Sequence, residues 1–80
     1  MSELSKLRWR CRRGMKELDE LLTRYLDEHY SQASPEEQRL FESLLEMQDP
    51  EIYAYMIGRD RPRDEAMNSL VQRIVTVLRT

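Results

Sequence analysis

The chain has 80 residues, of which 35% are charged and 40% are hydrophobic. A chain of this length forms at most one domain and buries only about 60% of its unfolded surface. We therefore do not expect a deep active-site cavity formed by this chain alone. One cysteine, Cys11, excludes an internal disulfide, and with one histidine, His29, it excludes an ordinary structural zinc site.

The sequence contains no apolar run near the roughly 20 residues that a membrane-spanning helix requires. Its start, MSELSKLRWR, is basic but lacks the apolar segment of a secretory signal. Together with the single cysteine, these features predict a protein without a membrane span that works in the reducing cytoplasm.

The net charge of −2 conceals a separation of charge along the chain. Residues 1–16 carry six basic side chains and one acidic side chain, which gives a net charge of +5. The other 64 residues carry seven basic and 14 acidic side chains, which gives −7. The sequence therefore predicts a basic N-terminal helix or arm on an acidic body.

Apolar spacing predicts two helices before residue 30. Leu4, Leu7 and Cys11 lie at helical spacing in the first, basic one. A glycine inside a helix costs about 1 kcal/mol relative to alanine, so Gly14 predicts a break. The second helix runs from about Met15 to His29, and its apolar face consists of Leu18, Leu21, Leu22, Tyr25 and Leu26.

Cap signals predict the next two helices. Ser34 can cap a third helix, with Pro35 at its first position and Glu37 where a capping box places a carboxylate. Asp49 and Pro50 repeat the cap and the proline for a short fourth helix. The apolar faces of these helices are Leu40, Phe41, Leu44 and Leu45, and Ile52, Tyr53, Met56 and Ile57.

Gly58 is a natural stop for the fourth helix, and a charged turn follows at residues 59–63. A final amphipathic helix is marked by Met67, Leu70, Val71, Ile74 and Leu78. The predicted fold is therefore all-α, a single compact bundle of five short helices over residues 1–80.

The junction of the first two helices carries the candidate site. With Gly14 as the N-cap of the second helix, Glu17 occupies the third position, where its carboxylate reaches the Gly14 amide, and Asp19 extends the acidic first turn. A solvated basic turn would explain Arg12 and Arg13 without any function. The sharper interpretation is a recognition loop, because glycine permits close approach and Arg13 offers five donors to a carboxylate, carbonyl or phosphate.

The run CRRGMKELD at residues 11–19 resembles the Arg-Gly-x-x-Glu signature of the SdhE family, the bacterial assembly factors of succinate dehydrogenase. The chain differs from many members on the short fourth helix, where Tyr53 and Tyr55 stand in place of an aromatic tryptophan. The resemblance covers nearly the whole chain, with further matches at Trp9, Tyr30, Phe41 to Glu46, Asp49-Pro50 and the last helix.

This resemblance implies a five-helix module that binds the FAD-containing subunit of succinate dehydrogenase, and in many members that of fumarate reductase. The module promotes the bond between the flavin and a histidine of that subunit, and it is not itself an enzyme. In the family the signature loop faces the flavoprotein, which implies partner contacts for Arg13, Gly14 and Glu17. The neighbouring Arg12 and Asp19 complete the candidate partner-binding set.

Nucleic-acid binding is the main alternative, because a charge of +5 over 16 residues with Trp9 among arginines is a small electrostatic footprint. A pI near 5.4 argues against it, since the chain lacks a broad basic face. An antitoxin-type regulatory role has also been attached to members of the family, but no residue indicates it separately.

A stand-alone enzyme is the third class, with Glu17, Asp19 and Glu20 as its acid–base candidates. Their place at a helix N-terminus keeps them ionised, which disfavours that role. His29 and Cys11 are far apart in sequence and lack a visible third partner. The two glycines are 44 positions apart, so there is no glycine-rich phosphate loop, and no stably bound FAD or other cofactor is expected.

Overall fold

The computed structural model describes residues 3–77, in which five α-helices follow one another with no strand. A 3-10 turn that the sequence did not predict joins the second helix to the third at Tyr30–Gln32. The all-helical bundle is confirmed. No helix in this part of the chain is long and apolar enough to cross a membrane. The helices are α1 (Glu3–Arg10), α2 (Lys16–Glu28), α3 (Pro35–Leu45), α4 (Asp49–Met56) and α5 (Glu65–Val77).

One hydrophobic core joins the helices. α5 packs against α2, α3 and α4, and α1 packs against α2. The core side chains are Leu7, Cys11, Leu18, Leu22, Tyr25, Leu26, Tyr30, Phe41, Leu44, Leu45, Ile52, Met56, Leu70, Val71 and Ile74. Every predicted apolar face contributes to this cluster, because residues three and four apart lie on the same side of a helix.

Two residues predicted to be in the core are exposed instead. Leu4 is 46% exposed in the first turn of α1, which packs on α2 through Leu7 and through Cys11 just beyond its end. Ile57 is 47% exposed because it is the C-cap of α4, where the chain leaves the helix. Leu78, predicted on the last apolar face, lies outside the described residues.

The predicted N-cap of α3 is confirmed, since the Ser34 hydroxyl oxygen accepts a hydrogen bond from the Glu37 N–H at 3.2 Å. The Glu37 carboxylate does not close a capping box. It accepts a hydrogen bond from the Tyr25 hydroxyl and forms an ion pair with Arg73. Burial raises the pKa of Tyr25, so the hydroxyl keeps its proton and donates. Glu37 therefore ties α3 to α2 and α5.

The fourth helix begins one residue earlier than predicted. Gln48 is its N-cap, Asp49 is its first residue, and no side chain makes a capping hydrogen bond there, so the predicted cap role of Asp49 is wrong. The predicted stop at Gly58 is confirmed. Gly58 has a φ of +81°, and the Arg59 N–H donates to the Ala54 carbonyl at 2.9 Å, which closes a Schellman motif.

We expect Leu22→Ala to lower the free energy of unfolding by about 2 to 4 kcal/mol, because it removes a fully buried side chain from the centre of the core. Urea denaturation followed by far-UV circular dichroism measures the change. The exposed Leu4 provides the control, and Leu4→Ala should cost less than about 0.5 kcal/mol. Equal losses of unfolding free energy in the two variants would show that Leu22 does not lie in the core.

Candidate functional site

Residues 11–15 connect α1 to α2, and we refer to them as the 11–15 loop. Gly14 has a φ of +84°, a conformation that residues with a side chain rarely adopt. A Cβ added to Gly14 would meet no heavy atom within 4 Å. The predicted helix break is therefore confirmed, and the position requires glycine for its backbone while its surface stays open.

The start of α2 differs from the prediction in its cap. Met15, with an extended backbone, is the N-cap, so Gly14 is not, and Glu17 falls one position short of the third. The positive φ of Gly14 is incompatible with the extended backbone of a helix cap. Asp19 supplies the carboxylate instead, since it accepts hydrogen bonds from the N–H groups of Arg13 at 2.6 Å and Gly14 at 3.3 Å.

The Arg13 side chain is only 15% exposed and lies against the turn between α3 and α4. Its guanidinium donates to the Met47 carbonyl at 3.1 Å, to the Leu45 carbonyl, and to Asp49 Oδ1 at 3.1 Å. The last carbonyls of a helix have no partner within it, so α3 leaves the carbonyl of its last residue, Leu45, open, and Met47 lies in the turn that follows. We name the three acceptors the Arg13 socket. The guanidinium donors of Arg13, which the sequence predicted to face a partner, therefore bond to acceptors within this chain instead.

Three candidate residues are exposed at the loop: Arg12, Gly14 and Glu17. The side chains of Arg12 and Glu17 make no hydrogen bond or ion pair with any residue of the range 4–76. All five predicted residues therefore lie in the 11–15 loop or at the start of α2. Arg12, Gly14 and Glu17 are exposed, whereas Arg13 and Asp19 make the hydrogen bonds that hold the loop.

Sequence reasoning missed two features of this site. Asp49 was assigned to a helix cap, and only the fold brings it to Arg13. Trp9 is 66% exposed, which makes it the most exposed large apolar side chain in the described range. Its position was readable from spacing, because residues two apart lie on nearly opposite sides of a helix and Leu7 faces the core.

Cys11 lies buried at the start of the loop. Burial raises the pKa of its thiol to about 11, although the nearby charges of Arg13 and Arg8 act in the opposite direction. A neutral and inaccessible thiol serves as a core side chain rather than a nucleophile. Residues 3–77 also contain no group of three histidine, cysteine, aspartate or glutamate residues able to hold a metal ion.

Comparison of the sequence with known proteins identifies its family. The sequence matches the family described as "Flavinator of succinate dehydrogenase" over residues 5–78. It is 44% identical over 71 residues to the FAD assembly factor SdhE of Colwellia psychrerythraea, covering 89% of this chain and 78% of the relative. The FAD assembly factor SdhE of Methylococcus capsulatus is 39% identical over 74 residues, covering 92% of this chain and 89% of the relative.

A third relative, the FAD assembly factor SdhE of Vibrio vulnificus, is 40% identical over 73 residues, covering 91% of this chain and 85% of its own length. These matches place the chain in the class of cofactor-assembly factors. It belongs to the SdhE family of flavinators of succinate dehydrogenase. The resemblance carried by the 11–19 motif is thereby confirmed.

We expect Asp19→Ala to destabilise the protein more than Glu17→Ala, because Asp19 makes the bond to the Gly14 N–H that the sequence assigned to Glu17. Asp19 accepts two loop N–H groups, so its loss should cost about 1 to 2 kcal/mol. Glu17→Ala should cost less than about 0.5 kcal/mol. Both sites lie in the first turns of α2 and feel the same helix dipole. Urea denaturation of the two variants measures which carboxylate contributes more to the free energy of unfolding.

Cys11 should react slowly with a disulfide reagent in the native protein. With a pKa of about 11 only about one thiol in a thousand is ionised near pH 8, and burial blocks access to it. The reaction should accelerate as pH rises and complete rapidly in denaturant. Ser31→Cys in a Cys11→Ala chain places a thiol at an exposed site as the fast control. Equal native rates would show that Cys11 is accessible.

Proposed function

We propose that this protein binds the flavoprotein subunit of succinate dehydrogenase through the 11–15 loop and the start of α2, and promotes covalent FAD attachment there. The observation that carries the proposal is the open Gly14 surface on a loop whose backbone is fixed by Asp19 and Arg13. A loop that is already ordered loses little entropy on binding, so a small surface can bind well. Membership of the SdhE family is the reason for proposing the flavoprotein subunit of succinate dehydrogenase as the partner, which we call the client.

The exposed residues have distinct roles in this proposal. Gly14 allows a partner surface to reach the loop backbone, because no side chain covers it. Arg12 and Glu17 supply a donor and an acceptor to that surface, since neither is engaged within residues 4–76. Arg13 and Asp19 belong to the same site and act by holding the loop.

The chemistry of the flavin bond belongs to the client in this proposal. Its histidine forms the bond, and the thiol of Cys11 in the present chain is buried. The proposed role is binding rather than catalysis, with no FAD held stably by this chain. We place it in the cytoplasm, because its free thiol suits a reducing compartment. On the family resemblance, we extend the proposal to the flavoprotein subunit of fumarate reductase.

Nucleic-acid binding gains little support from the arrangement of charge. Three of the basic residues in the N-terminal segment pair with carboxylates of the body, so less positive charge is available than the +5 count indicates. The pairs are Arg8 with Asp27, Arg10 with Glu46, and Arg13 with Asp49. Protein recognition by the loop is thus the better account of the same residues.

Gly14→Arg should abolish flavinylation of the partner, because an arginine side chain would occupy the open surface at the centre of the interface. The assay is the covalent flavin fluorescence of the denatured flavoprotein subunit, measured in cells that carry each variant as their only copy. Glu17→Ala should lower the fluorescence less completely, at unchanged stability of the variant protein.

Gly58→Arg is the matched control, since Gly58 has nearly the same φ and the same open surroundings at the far end of α4. It carries the same backbone strain and should leave fluorescence near the wild-type value. Equal loss in both glycine variants would assign the effect to strain. Wild-type fluorescence with a folded Gly14→Arg protein would reduce the motif to a helix junction.

A further inference from the structure

We propose that Asp49 is a positioning residue of the partner-binding site. It lies 36 residues after Arg13 in the sequence, and it provides the counter-charge of the socket that fixes Arg13 and, through it, Gly14. The inference rests on the proposed function of the loop. It adds a residue on α4 that acts without touching the partner.

The first support is the charge of a largely buried guanidinium. Arg13 has lost most of its contact with water, and a cation in such a place requires both hydrogen bonds and an opposite charge. The carbonyls of Leu45 and Met47 supply hydrogen bonds but no net charge. Within residues 4–76, Asp49 is the only carboxylate that forms an ion pair with Arg13, at 3.1 Å.

The second support is that the Asp49 side chain bonds to no residue of the range 4–76 other than Arg13. It does not cap α4, whose N-cap is Gln48, and its carboxylate makes no capping hydrogen bond. Its hydrogen bond and its ion pair are both with Arg13. An acidic residue in a first helical turn gains modestly from the helix dipole, but that gain does not depend on Arg13.

The third support is the way the loop is held. Asp19 binds the backbone N–H groups of residues 13 and 14, and the socket binds the side chain of residue 13. Glycine has wide backbone freedom, so the direction of Gly14 depends on these two anchors. The nearby pair of Arg10 and Glu46 is 3.7 Å apart and exposed, and contributes little.

The rival account is that Arg13 leaves the socket on binding and contacts the partner directly. The two accounts predict opposite effects of removing Asp49. If Asp49 positions the loop, its loss frees Arg13 and weakens binding. If the socket merely stores Arg13, its loss makes the arginine more available, and binding stays equal or becomes tighter.

The experiment is calorimetric titration of purified variants with the purified flavoprotein subunit of succinate dehydrogenase, in buffer where circular dichroism shows each variant folded. Asp49→Ala should weaken the Kd about tenfold, which corresponds to about 1.4 kcal/mol. Glu46→Ala removes an exposed carboxylate from the same turn and should change the Kd less than about twofold. Asp49→Asn keeps an acceptor without the charge and should fall between Asp49→Ala and wild type.

A double-mutant cycle gives the second readout. Arg13→Ala combined with Asp49→Ala should bind about as weakly as Arg13→Ala alone, because both changes remove one interaction. Native-state hydrogen exchange should show faster exchange at the Gly14 amide in Asp49→Ala, with the amides of α5 unchanged. These results would be expected of a positioning residue, whereas a general loss of stability would raise exchange throughout.

Unchanged or tighter binding by Asp49→Ala, with weaker binding by Arg13→Ala, would overturn the proposal in favour of direct contact by Arg13. The failure of the wider proposal looks different, because Gly14→Arg would then bind as well as the wild type. Loss of binding in Gly14→Arg with wild-type binding in Asp49→Ala would refute the socket role alone.

Discussion

The guanidinium of Arg13 forms the contacts that join separate parts of this chain. A cation that is mostly withdrawn from water needs acceptors, and two are the carbonyls of Leu45, the last residue of α3, and of Met47 in the turn that follows. Asp49, at the first position of α4, adds the opposite charge. One side chain thereby fixes the loop between α1 and α2 against the turn between α3 and α4.

The carboxylates show why the sequence predicts the helices better than their ends. Glu37 and Asp49 were assigned to caps of their own helices from local spacing. In the structure Glu37 binds Tyr25 and Arg73, and Asp49 binds Arg13. Local spacing identifies a carboxylate that could cap a helix. In the fold an arginine from another element takes it, because that contact joins two charged groups, whereas a cap joins the carboxylate to a neutral backbone N–H. Such partners leave no periodic signal in the sequence.

The apolar pattern was more informative because core burial repeats with the helical period itself. Leu18, Leu22 and Leu26 had to share one face of α2 wherever that face pointed. The exceptions lie where an element stops being covered, as at Leu4 and Ile57. The same limit applies to charge. The count predicted a basic segment on an acidic body, whereas the fold decides which cations pair with that body and which stay available.

The residues of the signature motif therefore fall into two groups with different physical roles. Arg12, Gly14 and Glu17 form a surface, and Arg13 and Asp19 determine its shape. A protein of this size has few contacts to offer, so its affinity depends on how little order it must gain when it binds. A lysine at position 13 would keep the charge, but its compact ammonium cannot reach three acceptors as a planar guanidinium does. If Arg13 acts as we propose, loss of function after a change at Arg13 reports on the order of the loop, and contact with the partner must be established from its exposed neighbours.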